Sequence, residues 1–142
     1  MAKIRKVPNW IVRLGILPSD ISIAIAPYIF LNDSLHQDYM TGQPDWFTQS
    51  IIEHETTHIE RQEQLGVSVW LWRYMTSNSF CFQEEIIALK REMDVYRQNN
   101  KEFSTDRKAR LLSKFWIYHR CVSYFDAKSV LDILWEKPQT ES

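Results

Sequence analysis

Residues 45–66 read Asp-Trp-Phe-Thr-Gln-Ser-Ile-Ile-Glu-His-Glu-Thr-Thr-His-Ile-Glu-Arg-Gln-Glu-Gln-Leu-Gly. Asp45 is a good N-cap, and Gly66 supplies a C-terminal stop. The stretch therefore predicts one long helix from about Asp45 to Leu65. Its apolar stripe is Phe47, Ile51, His58, Gln62 and Leu65, with Ile52 and Ile59 beside it. His54 and His58 stand one turn apart and share a side of this helix. That side coincides with the apolar stripe, where an imidazole pair needs partners for its ring nitrogens.

Two imidazoles at this spacing reach a single Zn²⁺ at about 2.0–2.1 Å. Glu55 is turned by about 100° from His54 and lies at the rim of the same face. It is placed less as a third ligand than as a base: zinc acidifies a bound water and a carboxylate takes its proton. The plainer alternative is two core histidines bonded to backbone carbonyls.

A catalytic zinc wants a third protein ligand and one open position. Glu84 and Glu85 open a helix expected over Phe82–Asn99, whose inward face carries Phe82, Ile86, Leu89, Met93 and Tyr96. Glu85 falls on the Phe82/Leu89/Met93 side, where a carboxylate is costly unless paired or metal-bound. Glu84 is turned by about 100° and is expected in water. Glu85 is thus the expected third ligand, with the small Ala88 nearly one turn on. Favourable interaction with the helix dipole would explain a Glu at either position equally well. Cys81, four residues before Glu85, could approach the metal or serve as a small buried hydrophobe. Tyr74, Tyr96, Tyr118 and His119 are candidates to hold an oxyanion, against the commoner role of aromatics as core. His36 falls in an expected loop with no partner.

Outward from this centre, Ile21, Ile23 and Ile25 alternate with Ser22, Ala24 and Ala26, the period of a half-buried strand. Pro27 interrupts it before a second β-prone run, Tyr28–Leu31, and places the segment at a sheet edge or turn. Asn32–Met40 reads as a loop, and Thr41-Gly-Gln-Pro44 as a break. After Gly66 come a Trp- and Tyr-rich helix, Val67–Thr76, and a turn, Thr76-Ser-Asn-Ser79. Asn99-Asn-Lys-Glu is a further break. A last helical stretch, in one piece or two, runs from Thr105 to Trp135, with a frayed tail after Lys137. The expected class is α+β, predominantly helical, with a short antiparallel hairpin beside two zinc-bearing helices. One domain covers 1–142, its first 45 residues holding the edge strands and 46–136 the helices.

The composition fits that size. Of 142 residues 44% are hydrophobic, and six Trp, six Tyr and seven Phe supply large pieces for a core. A net charge of −1 gives no long-range attraction to phosphate, which disfavours a nucleic-acid partner. No apolar run is long enough to span a bilayer, so no membrane partner is expected. Met1–Lys6 is basic, yet Arg13 interrupts the apolar stretch Trp10–Leu17 and Pro27 follows the Ala24–Ala26 cleavage-like pattern, so a signal peptide is not expected. Two cysteines are too few to staple the fold, in keeping with a reduced, cytoplasmic setting (the host's, for a viral chain). Three glycines cannot build a phosphate loop.

His54-Glu-Thr-Thr-His58, Gln62, the Trp/Tyr-rich helix and Glu85-Ile-Ile-Ala88 together resemble the small gluzincin-type HExxH metallopeptidases, compact variants of which occur in bacteria and phages. The likeness covers about residues 20–97. It implies a zincin-like fold with His54, His58 and Glu85 on Zn²⁺ and Glu55 as catalytic base. It also implies that Ile21–Ala26 or Tyr28–Leu31 is an edge strand pairing with an extended peptide or protein substrate. Leu89 stands where thermolysin-like members carry an Asp, and the Asn-x-Phe-Ala element of the repressor-cleaving type is missing. The expected activity is peptide hydrolysis by a zinc-activated water. The alternative is a non-catalytic zinc-stabilised module that binds a protein, its fourth ligand position closed by Cys81, Glu84 or a neighbouring chain. Trp70, Trp72, Trp116 and Trp135 would then form its surface, unless they fill the core.

Overall fold

A computed structural model describes residues 1–15, 20–114 and 121–136. It is predominantly helical with one small sheet, an α+β chain. Two compact units divide it, Met1–Trp70 and Leu71–Ser142. Among the described residues no helix is long and apolar enough to cross a membrane.

The first unit holds β1 (Lys3–Lys6), α1 (Asn9–Arg13), β2 (Ile23–Ile25), β3 (Tyr28–Leu31), α2 (Asp33–Met40) and α3 (Trp46–Leu65). The expected hairpin is present: β2 and β3 pair antiparallel, with Ile25 opposite Tyr28 across the Ala26-Pro27 turn. It is not the whole sheet. β1 adds in parallel on the far side of β3, with Ile4 opposite Ile29, giving the order β1-β3-β2. Tyr28–Leu31 is therefore the central strand and is excluded as a substrate-pairing edge, while β2 lies at an edge of the described sheet.

The inward face of β2 also differs from a simple reading of its isoleucines. Ala24 lies opposite Ile29 and packs with Ala26 against the core of Ile29, Leu31, Leu35 and Ile59, whereas Ile25 faces out, 40% exposed. Alanine leaves room for α3 to approach the strand. Phe47, Ile51 and Ile52 of α3 close the same core.

Asn32–Met40 is a helix rather than a loop. Asn32 caps it, its side-chain oxygen accepting from Leu35 N at 3.1 Å. The polar residues that suggest a loop are here an N-cap and a first turn. His36 accordingly sits on α2.

The helix α3 has the expected bounds. Asp45 accepts from Thr48 N at 2.8 Å, and Gly66 closes the helix at φ 87°, a left-handed value that disfavours any side chain. Asp45→Ala is expected to destabilise the protein by about 1 kcal/mol, read from a denaturant midpoint. Its buried face is more polar than the expected stripe: Thr48, Ser50, Thr57 and Gln62 join the two histidines. Ser50 and Thr57 satisfy their hydroxyls on the helix itself, donating to Phe47 O and Glu53 O.

After Gly66, α4 (Val67–Thr76) leads through Ser77 into α5 (Asn78–Gln98), then α6 (Thr105–Leu112) and α7 (Tyr124–Glu136). The α5 helix begins four residues before the expected Phe82, because Ser77 caps it by accepting from Phe80 N. The last helical stretch is in separate pieces. In the second unit Arg97 of α5 donates to Leu134 O at 2.8 Å near the end of α7, while Thr105 donates to Asp132. Glu92, fully buried, pairs with Lys108 at 2.6 Å. The expected frayed tail lies outside the described residues.

Candidate metal centre

In the first unit, α3 carries His54 and His58 on consecutive turns. Their ring centroids are 5.0 Å apart with the planes at 77°, and the residues are only 7% and 6% exposed. The shared direction follows from the four-residue spacing, since neither side chain has to bend toward the other. Trp70, at the start of α4, packs its ring 5.4 Å from His58 and is itself buried. A histidine pair walled by an indole is shielded from competing water, which strengthens any charge interaction made there.

In the second unit, Glu85 is 1% exposed on α5. The hydroxyl of Tyr74, on α4, donates to Glu85 Oε1. Tyr74 thus holds the carboxylate in place, a role not among those expected for it. Nothing in the sequence pattern joins the two residues, because the bond spans two helices and a one-residue corner. Tyr96 is core, stacked edge-on to Phe103 at 5.1 Å. Tyr118, His119 and Trp116 lie outside the described residues.

His54, His58 and Glu85 each bring one ligand atom within 4.8 Å of the others, and all three are buried. This group could hold a metal ion. Two imidazole nitrogens and one carboxylate oxygen suit a divalent transition metal more than calcium or magnesium, which prefer oxygen alone. A buried carboxylate is costly unless donors or a cation compensate it. Tyr74 supplies one donor to Glu85, and a cation would supply the larger compensation.

Glu84 departs from expectation. It is buried, 1% exposed, rather than facing water, yet it is not part of the three-residue group. The reason is the width of the buried arc on α5, which takes in Cys81, Glu84, Glu85, Ala88, Leu89 and Glu92 instead of a narrow stripe. Cys81 is fully buried and also outside the group. The neighbouring Cys121 thiol and burial push its thiol well above the ordinary cysteine range, with the Glu85 charge adding to the shift.

Glu55 follows His54 on α3, buried and outside the three-residue group. Of the tryptophans proposed for a binding face, three are described. Trp70 is buried, Trp72 is 70% exposed, and Trp135 packs on Phe103 and under the Arg97 guanidinium. Comparison of the chain with family models, with characterised proteins and with solved structures gives no match.

Tyr74→Phe tests the bond to Glu85. Removing the partner that orients the Glu85 carboxylate is expected to weaken the affinity of this group for a divalent transition metal about 10- to 100-fold, measured by competition with a chromogenic chelator.

Proposed function

We propose that this chain is a zinc-dependent peptidase of the small gluzincin type, with a zincin-like arrangement of its metal-binding helices. The observation that supports this most is the buried group of two histidines and a glutamate, with a second carboxylate adjacent to the first histidine on α3. His54, His58 and Glu85 hold the zinc. When bound there, the ion supplies Lewis acidity, lowering the pKa of water and polarising a peptide carbonyl.

The residues of the chain do the rest. Glu55 takes the proton from the attacking water as the oxygen adds to the scissile carbonyl carbon. When the carbon–nitrogen bond breaks, Glu55 gives that proton to the departing amine. Tyr74 keeps one oxygen of Glu85 engaged and so fixes the orientation of the carboxylate. As an edge strand, β2 would offer its remaining outward main-chain groups to a substrate in extended conformation, as in strand addition to a sheet edge. Zinc-dependent cleavage of an unstructured protein, lost with a chelator and restored by zinc, tests the proposal.

One observation favours a second reading. Trp72 stands 70% exposed on α4, as an aromatic anchor for a protein partner would. A non-catalytic zinc module would bind zinc and a partner but cleave nothing, with or without Glu55.

A further inference from the structure

Gln62 is wholly buried on α3, one turn beyond His58. Its carboxamide nitrogen donates to Ala24 O at 2.9 Å, and its carboxamide oxygen accepts from Ala26 N at 2.8 Å. Both main-chain groups face away from β3. The register shows why: Ile25 closes the hairpin against Tyr28, so Ile25 and Ile23 exchange their hydrogen bonds with β3, and the main-chain N–H and C=O of Ala24 between them point away from it. A strand added to this edge would take the same carbonyl and the same N–H, two residues apart. The side chain of Gln62 stands where the peptide group of such a strand would be.

Resting on the peptidase reading above, we infer that Gln62 is a positioning residue that ends the substrate-pairing edge at Ala24. An extended polypeptide then pairs with β2 only on the side leading back toward Ser22, beginning at the outward Ala24 N–H. It cannot run on toward Pro27, because Gln62 already fills the next ladder position. The same two bonds tie that edge to α3 at a point one turn beyond His58. A glutamine serves here because the site needs one donor and one acceptor at the tip of a single side chain.

The test uses full-length, zinc-loaded chain carrying Gln62→Leu or Gln62→Glu. Gln62→Leu is expected to speed amide exchange of Ala26 N–H, followed by NMR, by about tenfold or more. It should raise KM for an unstructured peptide about tenfold, the loss falling on KM rather than kcat, with zinc content unchanged. Gln62→Glu separates positioning from bulk. The ionised carboxylate can accept from Ala26 N but cannot donate to Ala24 O, whereas the protonated acid can do both. Burial raises such a carboxyl, so the KM of this variant should approach the wild-type value as pH falls from about 8 to about 5.5. A part in packing alone would give no such recovery. Wild-type Ala26 exchange together with wild-type KM in Gln62→Leu overturns the inference. A wild-type chain that cleaves nothing overturns the peptidase reading instead, and the Ala26 exchange rate then decides the clamp by itself.

Discussion

Glu55→Gln is expected to abolish peptide cleavage, lowering kcat about 10²- to 10⁴-fold, while zinc stays bound at wild-type stoichiometry. Glutamine has the shape of glutamate but cannot accept a proton at neutral pH, so the change removes basicity and little else. Glu55 is buried, which makes an isosteric replacement preferable to alanine, because truncation would open a cavity beside His54. The measurement is turnover of an unstructured protein alongside metal analysis of the same preparation. Wild-type turnover in the variant would remove Glu55 from the mechanism. Absence of turnover in both proteins, with zinc bound, would favour the non-catalytic module.

Loss of the metal should be nearly as costly to stability as loss of Glu55 is to rate. On the proposed function the ion would bind the folded chain, where His54, His58 and Glu85 each bring a ligand atom near the others, and not an unfolded one in which they are far apart. With free zinc about 1,000-fold above its dissociation constant, this linkage contributes about 4 kcal/mol. For a chain of this size each kcal/mol moves the melting temperature by a few degrees, so chelation should lower Tm by about 10 °C. His58→Ala leaves two ligands, and its Tm should be almost indifferent to chelator. Calorimetry of both proteins, with and without chelator, reads the difference directly. Equal chelator shifts in wild type and His58→Ala would mean that the stabilising ion sits elsewhere.

The long helix was legible because its two ends carry strong local signals, Asp45 and Gly66, and its histidines share a period with the apolar residues between them. Glu85 was legible for the same reason, as a carboxylate on an inward position of α5. Glu84 was not. Periodicity locates the centre of a buried face but not its width, and α5 is covered over an arc broad enough to include both glutamates. The α2 helix was hidden because Asn32, Asp33 and Ser34 suit a loop and a helix start equally well. The β1 strand was hidden because Lys3–Lys6 has one inward apolar residue, Ile4, and its pairing with β3 reaches across more than twenty residues of chain. The Tyr74–Glu85 bond and the grip of Gln62 on β2 are likewise tertiary: each joins residues from different elements, where no spacing rule applies.

In the proposed site, His54, His58 and Glu85 clasp one zinc with a position left for water. Zinc-edge X-ray absorption on the purified full chain tests it most directly. The expected result is one zinc per chain, with nitrogen and oxygen neighbours at about 2.0–2.1 Å, the scattering signature of two imidazoles, and no sulfur. A sulfur shell at about 2.3 Å, or a chain that takes up no stoichiometric zinc, would contradict it.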